Sequence, residues 1–215
     1  KNILACLVLH IEQGKILEDR NIDIGVVRSI PSITRFSITV KGQAGHSGTI
    51  LMNQRSDALV TASEIISFVN KSAINLSQKS NQHFVATIGK INVHPNSAAI
   101  IPGFVEMTID LRATSKNSRQ EFLSILEKKI VLLNNNSSCD ISINDIAFAP
   151  FVEMNKDLIK LFKSSANSLG LSNNIMDSGA GHDTAQLSRV VPAAKIFIPC
   201  KDGLSDRPDE AADTS

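Results

Sequence analysis

The chain has no tryptophan and no tyrosine, so phenylalanine supplies all nine of its large aromatic rings. Without those residues an aromatic stacking platform for single-stranded nucleic acid is not expected. Net charge is nearly absent too: 22 basic against 21 acidic side chains leave +1, which gives no field toward nucleic acid or an anionic membrane surface. No apolar run reaches the roughly 18–20 residues that span a bilayer. Residues 1–14 lack the basic start and small-residue cleavage site of a signal peptide. The three cysteines, Cys6, Cys139 and Cys200, are scattered and without CxxC spacing. That excludes a disulfide framework and points to free thiols in a reducing compartment, the cytoplasm. A frayed polar start is missing as well. The chain opens almost directly on an apolar strand, so preceding sequence is expected to exist.

What is present is an ordinary globular composition, 42% hydrophobic and 20% charged over 215 residues, enough for one large domain or two small ones. Residues 2–9 read as a buried, central strand of an α/β sheet, ended by His10-Ile11-Glu12-Gln13-Gly14. A short helix or loop and a strand around Ile24–Val27 follow, and Pro31 marks a domain boundary. Phe36, Ile38 and Val40 alternate along a half-buried strand. Gly42 to Thr49 is a glycine-rich loop. Ala58, Ala62, Ile65, Ile66 and Val69 carry helical spacing over residues 54–70, and the polar stretch 72–82 reads as a connection.

A strand over 83–93, interrupted by Gly89, precedes the cleanest alternation in the chain, Val105, Met107, Ile109 and Leu111. A helix follows with Ser118 and Glu121 as a capping box, then a strand through Cys139, Ile141 and Ile143. Residues 34–146 thus run strand, helix, strand, strand, helix, strand, the order of a ferredoxin-like split βαβ unit. After Pro150 an α/β pattern returns. Asn155 caps a helix with an inner face of Leu158, Ile159, Leu161, Phe162, Ala166 and Leu169, stopped by Gly170. A glycine-rich loop over 177–183, a short helix over 184–189 and a strand at Ile196-Phe197-Ile198 complete the chain. The fold class is α/β, with segments 1–30 and 148–215 forming one domain and 31–147 inserted between them.

Candidate chemistry sits on three histidines beside glycines or strand ends. His10 ends a strand, where α/β proteins hold ligands, and neutral imidazole is a ready metal ligand. His46 lies in Gly45-His46-Ser47-Gly48, and His182 in Ser178-Gly179-Ala180-Gly181-His182-Asp183. The bland alternatives are a hydrogen-bonded strand-end histidine and exposed loop histidines. For His83 and His94 a structural or exposed role is the simpler reading. Arg112 follows Asp110-Leu111 on the polar face of its strand; its guanidinium fork suits a carboxylate, although a surface ion pair would look the same.

Taken in order, His-Ile-Glu-Gln-Gly, Gly-His-Ser-Gly-Thr with Met52, Arg55, Asp57 and Ala58 behind it, and Ser-Gly-Ala-Gly-His-Asp followed by Arg189-Val190-Val191-Pro192 resemble the carbamoylase branch of the M20 metallopeptidase-like amidohydrolases. That branch includes N-carbamoyl-L-amino-acid hydrolases, allantoate amidohydrolases and β-ureidopropionases. The resemblance covers nearly the whole chain but only the later part of a family member. It implies a metal-binding α/β catalytic domain interrupted by a ferredoxin-like lid domain that forms a homodimer. It implies two divalent ions per active site, zinc or manganese, with His10 and Asp206 as the ligands this chain would supply.

It further implies His46, reaching the partner subunit's site, as the catalytic group that polarises the substrate carbonyl, and Gln13, Arg112, Gly181 and His182 as substrate contacts. Asn96 matches a turn asparagine. Ala99 stands where the family has a second, substrate-contacting asparagine. Asp206, in Gly203-Leu204-Ser205-Asp206, stands where the family has histidine. The implied substrate is a small carbamoyl or ureido acid, with no nucleic-acid or membrane partner. The general base and remaining ligands would lie upstream, so the 215-residue chain alone is expected to be inactive or nearly so. The alternatives are a non-catalytic dimerising remnant and, among enzymes, an M20 aminoacylase or dipeptidase.

Overall fold

The computed structural model describes residues 3–79 and 82–212. The chain divides into two compact units, one formed by residues 1–32 with 150–215 and the other by 33–149.

In the first unit, β1 (Cys6–Ile11), the short helix α1 (Ile16–Asp19) and β2 (Ile24–Ile30) come from the early segment. Its remaining elements return after the second unit, whose own elements are β3 (Ser32–Lys41), β4 (Gly45–His46), α2 (Ala58–Lys79), β5 (Phe84–His94), β6 (Ile100–Ile101), β7 (Phe104–Ala113), α3 (Lys116–Asn136) and β8 (Asp140–Ala149). The late segment adds β9 (Val152–Glu153), α4 (Lys156–Ser168), β10 (Asn173–Asp177), α5 (Thr184–Leu187) and β11 (Ala193–Ile198).

The first unit's sheet runs β1-β11-β2-β10, with β9 paired to β2. β1 and β11 are parallel, as are β10 and β2, while β11 and β2 are antiparallel. Leu17, Val27, Ile30, Met154, Met176 and Phe197 form its core. The expectation of a central, buried first strand is corrected. Among the described residues β1 pairs only with β11, at the edge of the sheet, and Leu7 and Leu9 stand 55% and 62% exposed. An apolar run marks a strand but does not count its neighbours.

In α4, Asn155 is the cap: its Oδ1 accepts from the backbone N–H groups of Asp157 and Leu158. Gly170, at φ +72, occupies the left-handed position that ends the helix. The expected inner face is only partly buried, because Leu161 and Leu169 remain 54% and 75% exposed.

The second unit packs α2 and α3 on a sheet of order β5-β7-β3-β8. Alternation works as physics requires in β7, where Val105, Met107, Ile109 and Leu111 are all buried. They meet Ala62, Ile65 and Val69 of α2 and Phe122, Leu126 and Ile130 of α3 in one core. The polar connection expected over 72–82 is instead the last turns of α2, which runs to Lys79 and buries Ser72, Ala73 and Leu76. Those residues continue the apolar stripe, and local polarity on the opposite face does not stop a helix whose inner face is packed. The cap of α3 is Ser115, whose Oγ accepts from the Ser118 N–H, rather than Ser118 itself. The Gly89 interruption is a register shift between Ile88 and Lys90.

Phe122 is fully buried, its ring 5.7 Å from that of Phe84. Phe122→Ala is expected to cost about 3–5 kcal/mol, and Asn155→Ala about 1 kcal/mol. Urea unfolding followed by far-UV circular dichroism measures both, since the chain offers no tryptophan signal.

Candidate active site

In the first unit, His10 lies on β1 opposite Phe197 of β11. Its ring sits 4.8 Å from that of His182, edge to face, and 6.4 Å from Phe197. His182 is 5.7 Å from Phe197. The chain therefore closes His10 and His182, from its two ends, onto one phenylalanine.

The hydrogen bonds assign roles to the ring nitrogens. His10 Nδ1 is 2.8 Å from the Ile11 carbonyl, which can only accept, so the neutral ring keeps its lone pair on Nε2. His182 Nε2 lies 3.0 Å from Ser178 Oγ. That hydroxyl gives its single hydrogen to the Ala180 carbonyl, so it accepts from His182. Burial, then the Lys195 charge, then His10 hold His182 down to about 4, so its ring is neutral at physiological pH.

The loop bearing His182 is anchored by Asp177 at the end of β10. Arg28 grips Asp177 through two bonds of 2.7 and 2.9 Å, and Ser29 Oγ adds a third. Sequence reasoning passed over this ion pair, because Arg28 and Asp177 carry no local pattern. It also passed over Glu12, whose carboxylate accepts the N–H groups of Ile16 and Leu17 and so caps α1. Gly14 fits this turn: a Cβ there would lie 2.9 Å from Glu12 Oε1. Gln13, between them, is held at φ +61, an unusual conformation for a residue with a side chain. Gly181 is exposed.

Asp206 is exposed at φ +58, and its backbone N–H donates to Glu210. Among the described residues no three His, Cys, Asp or Glu side chains gather to hold an ion. His10 keeps a lone pair on Nε2, but the described residues do not make up a metal site by themselves.

In the second unit, His46 pairs through β4 with Ile100 of β6. Its Nδ1 accepts from the Gly48 N–H at 3.0 Å, so the neutral ring carries its hydrogen on Nε2, as a donor. Arg55 pins the loop by donating to the carbonyls of Ser47 and Ile50. Ala99, in place of an asparagine, contributes only its backbone, accepting from the Ser47 N–H. Arg112 Nε donates to Asp110 Oδ1, and Arg35 Nε donates to the other carboxylate oxygen, each at 2.8 Å. Burial raises the Asp110 carboxyl, but the bonds from Arg112 and Arg35 outweigh it and leave it below the usual range. Sequence alone could not pair Arg35 with Asp110, because their strands are far apart in the chain.

A protein-family model described as peptidase family M20/M25/M40 matches residues 1–215. An N-carbamoyl-L-amino-acid amidohydrolase of Pseudomonas sp. (strain NS671) is 35% identical over 95% of this chain and 49% of that protein. The allantoate amidohydrolase of Escherichia coli is 32% identical over 98% of this chain and 50% of that protein. A crystal structure of an amidase of the hydantoinase/carbamoylase family from Burkholderia multivorans superposes with a TM-score of 0.91 at 31% identity, over 99% of this chain and 51% of that one. The chain thus spans about half the length of the curated relatives it matches.

Asp110→Asn is expected to cost about 2 kcal/mol, the scale of lost hydrogen bonds to a charged group. The folded carboxyl titrates below its unfolded value. The contribution is therefore full above the unfolded pKa, near 4, and disappears as pH falls through the folded value. Urea titrations of wild type and variant at pH 7 and pH 3 should show the gap between them closing in acid.

Proposed function

Because the chain belongs to peptidase family M20/M25/M40, we propose that the full-length protein hydrolyses a linear amide C–N bond in an N-carbamoyl amino acid or a ureido acid such as allantoate. The observation that carries this reading is the meeting of His10 and His182 on Phe197. It joins two segments of a chain that is 35% identical to an N-carbamoyl-L-amino-acid amidohydrolase.

In the proposed reaction, water adds to the carbamoyl carbon and the bond to the amino-acid nitrogen breaks. That nitrogen leaves with a proton, and the carbamate decomposes to carbon dioxide and ammonia. As the carbonyl oxygen gains charge it needs a donor already oriented toward it. His46 fits, because its Nε2 carries the hydrogen while Gly48 occupies Nδ1. Arg112, steadied by Asp110, takes the substrate carboxylate through its guanidinium. Gln13, the backbone of Gly181 and neutral His182 position the ureido group. The family is generally metal-dependent. Two divalent ions, zinc or manganese, would be held with His10 and Asp206 among their ligands. A homodimer would form through the lid domain, residues 31–147, with His46 serving the partner's site, in a cytoplasmic setting. No helix among the described residues is long and apolar enough to cross a membrane.

Ammonia release from N-carbamoyl-L-amino acids and allantoate by the full-length protein tests this. Arg112→Ala should raise KM about 10–100-fold with a smaller effect on kcat, as expected for a lost charged anchor. His46→Ala should lower kcat about 10²–10³-fold with little change in KM. A full-length, folded protein that releases no ammonia from either substrate class, with metal supplied, would sink the reading.

A further inference from the structure

Ser178 opens the loop that carries His182. It is 0% exposed, so bulk water does not compete for its hydroxyl. Its backbone N–H donates to the Ser29 carbonyl, which seats it on β2 next to the Arg28–Asp177 pair. A hydroxyl has one hydrogen and two lone pairs. Here all three are assigned. Ser178 Oγ donates to the Ala180 carbonyl at 2.9 Å and accepts from the Ala180 N–H at 3.1 Å. A carbonyl only accepts and a backbone N–H only donates, so one lone pair remains. His182 Nε2, 3.0 Å away, takes it as a donor. Neutral imidazole has one ring hydrogen, so His182 Nδ1 keeps its lone pair, on a half-buried ring 5.7 Å from that of Phe197.

In the proposed reaction His46 offers a donor to the carbonyl oxygen. A ureido group also carries N–H groups, and these need an acceptor. Its inner nitrogen must gain a proton to leave, so an acceptor is of use at the terminal NH2 instead. We propose that Ser178 is a positioning residue that holds His182 with Nδ1 as the acceptor for a terminal N–H of a carbamoyl or ureido group. Ser178 thereby selects for a ligand that ends in NH2 over one that ends in C–H. The inference rests on the hydrolase reading, in which His182 contacts the ureido group. It adds the direction of that hydrogen bond and the residue that sets it.

Release of L-alanine by the full-length protein from N-carbamoyl-L-alanine and from N-formyl-L-alanine tests it, because the formyl group lacks the terminal NH2. Ser178→Ala should lower kcat/KM for the carbamoyl substrate about five- to tenfold, the scale of one hydrogen bond, and change the formyl substrate by less than about twofold. A merely structural role would lower both together. That result, or no change in either, overturns the proposal and leaves the hydrolase reading standing. Wild type that cleaves the carbamoyl substrate alone supports the NH2 requirement. Imidazole nitrogen NMR of protein labelled at histidine, with His182 assigned by its loss in His182→Gln, needs no active variant. Wild type should carry the hydrogen on Nε2, protected from exchange, and Ser178→Ala should lose that protection. A hydrogen on Nδ1 in wild type overturns the proposal. If Nε2 is protected as expected while wild type cleaves neither substrate, the hydrolase reading falls and the Ser178 contact that fixes His182 stands.

Discussion

The first unit depends on the parallel pairing of β1 with β11. These strands come from opposite ends of the chain, and a parallel pair cannot be closed by a tight turn. Here the connection between them contains the whole second unit. Once the register is set, His10 faces Phe197, and the loop after β10 brings His182 onto the same ring. A slip of one residue would turn His10 to the other face of the sheet and dissolve the cluster. The Arg28–Asp177 pair secures the other side of this arrangement. It ties the end of β2 to the end of β10 just before the His182 loop departs.

Charge is distributed differently in the two units. In the second, Asp110 sits between two guanidiniums, each donating to one of its carboxylate oxygens. In the first, Lys195 is 1% exposed with its ammonium 5.5 Å from the centre of the Phe197 ring, and Thr184 Oγ1 is buried without a hydrogen-bond partner. An ordinary core avoids such groups. Cores keep them where a ligand or a chemical step requires them.

The glycine-rich loop around His46 shows how a flexible-looking sequence is made rigid. Gly48 folds back to the imidazole, Arg55 ties two carbonyls, and the β4–β6 bridge fixes one side. None of these contacts is strong alone. Together they define which ring nitrogen of His46 is a donor, and that decides what the residue can do.

Sequence by itself determined the element types wherever an apolar period was long. The alternation in β7, the stripe of α3 and the Asn155 cap all read correctly because local periodicity and capping are local physics. It also marked His10, His46 and His182, because histidine beside glycine is uncommon and motif order carries information. Tertiary structure decided the rest. Only packing showed that α2 continues to Lys79, since Ala73 and Leu76 had to find a core to bury against. Only strand pairing put β1 at an edge of the described sheet, since hydrophobicity does not count partners. Lys195 sits in an otherwise apolar strand, and only the tertiary structure shows it 1% exposed beside the Phe197 ring. Burial and the ring beside it are properties of three-dimensional surroundings that no stretch of sequence encodes.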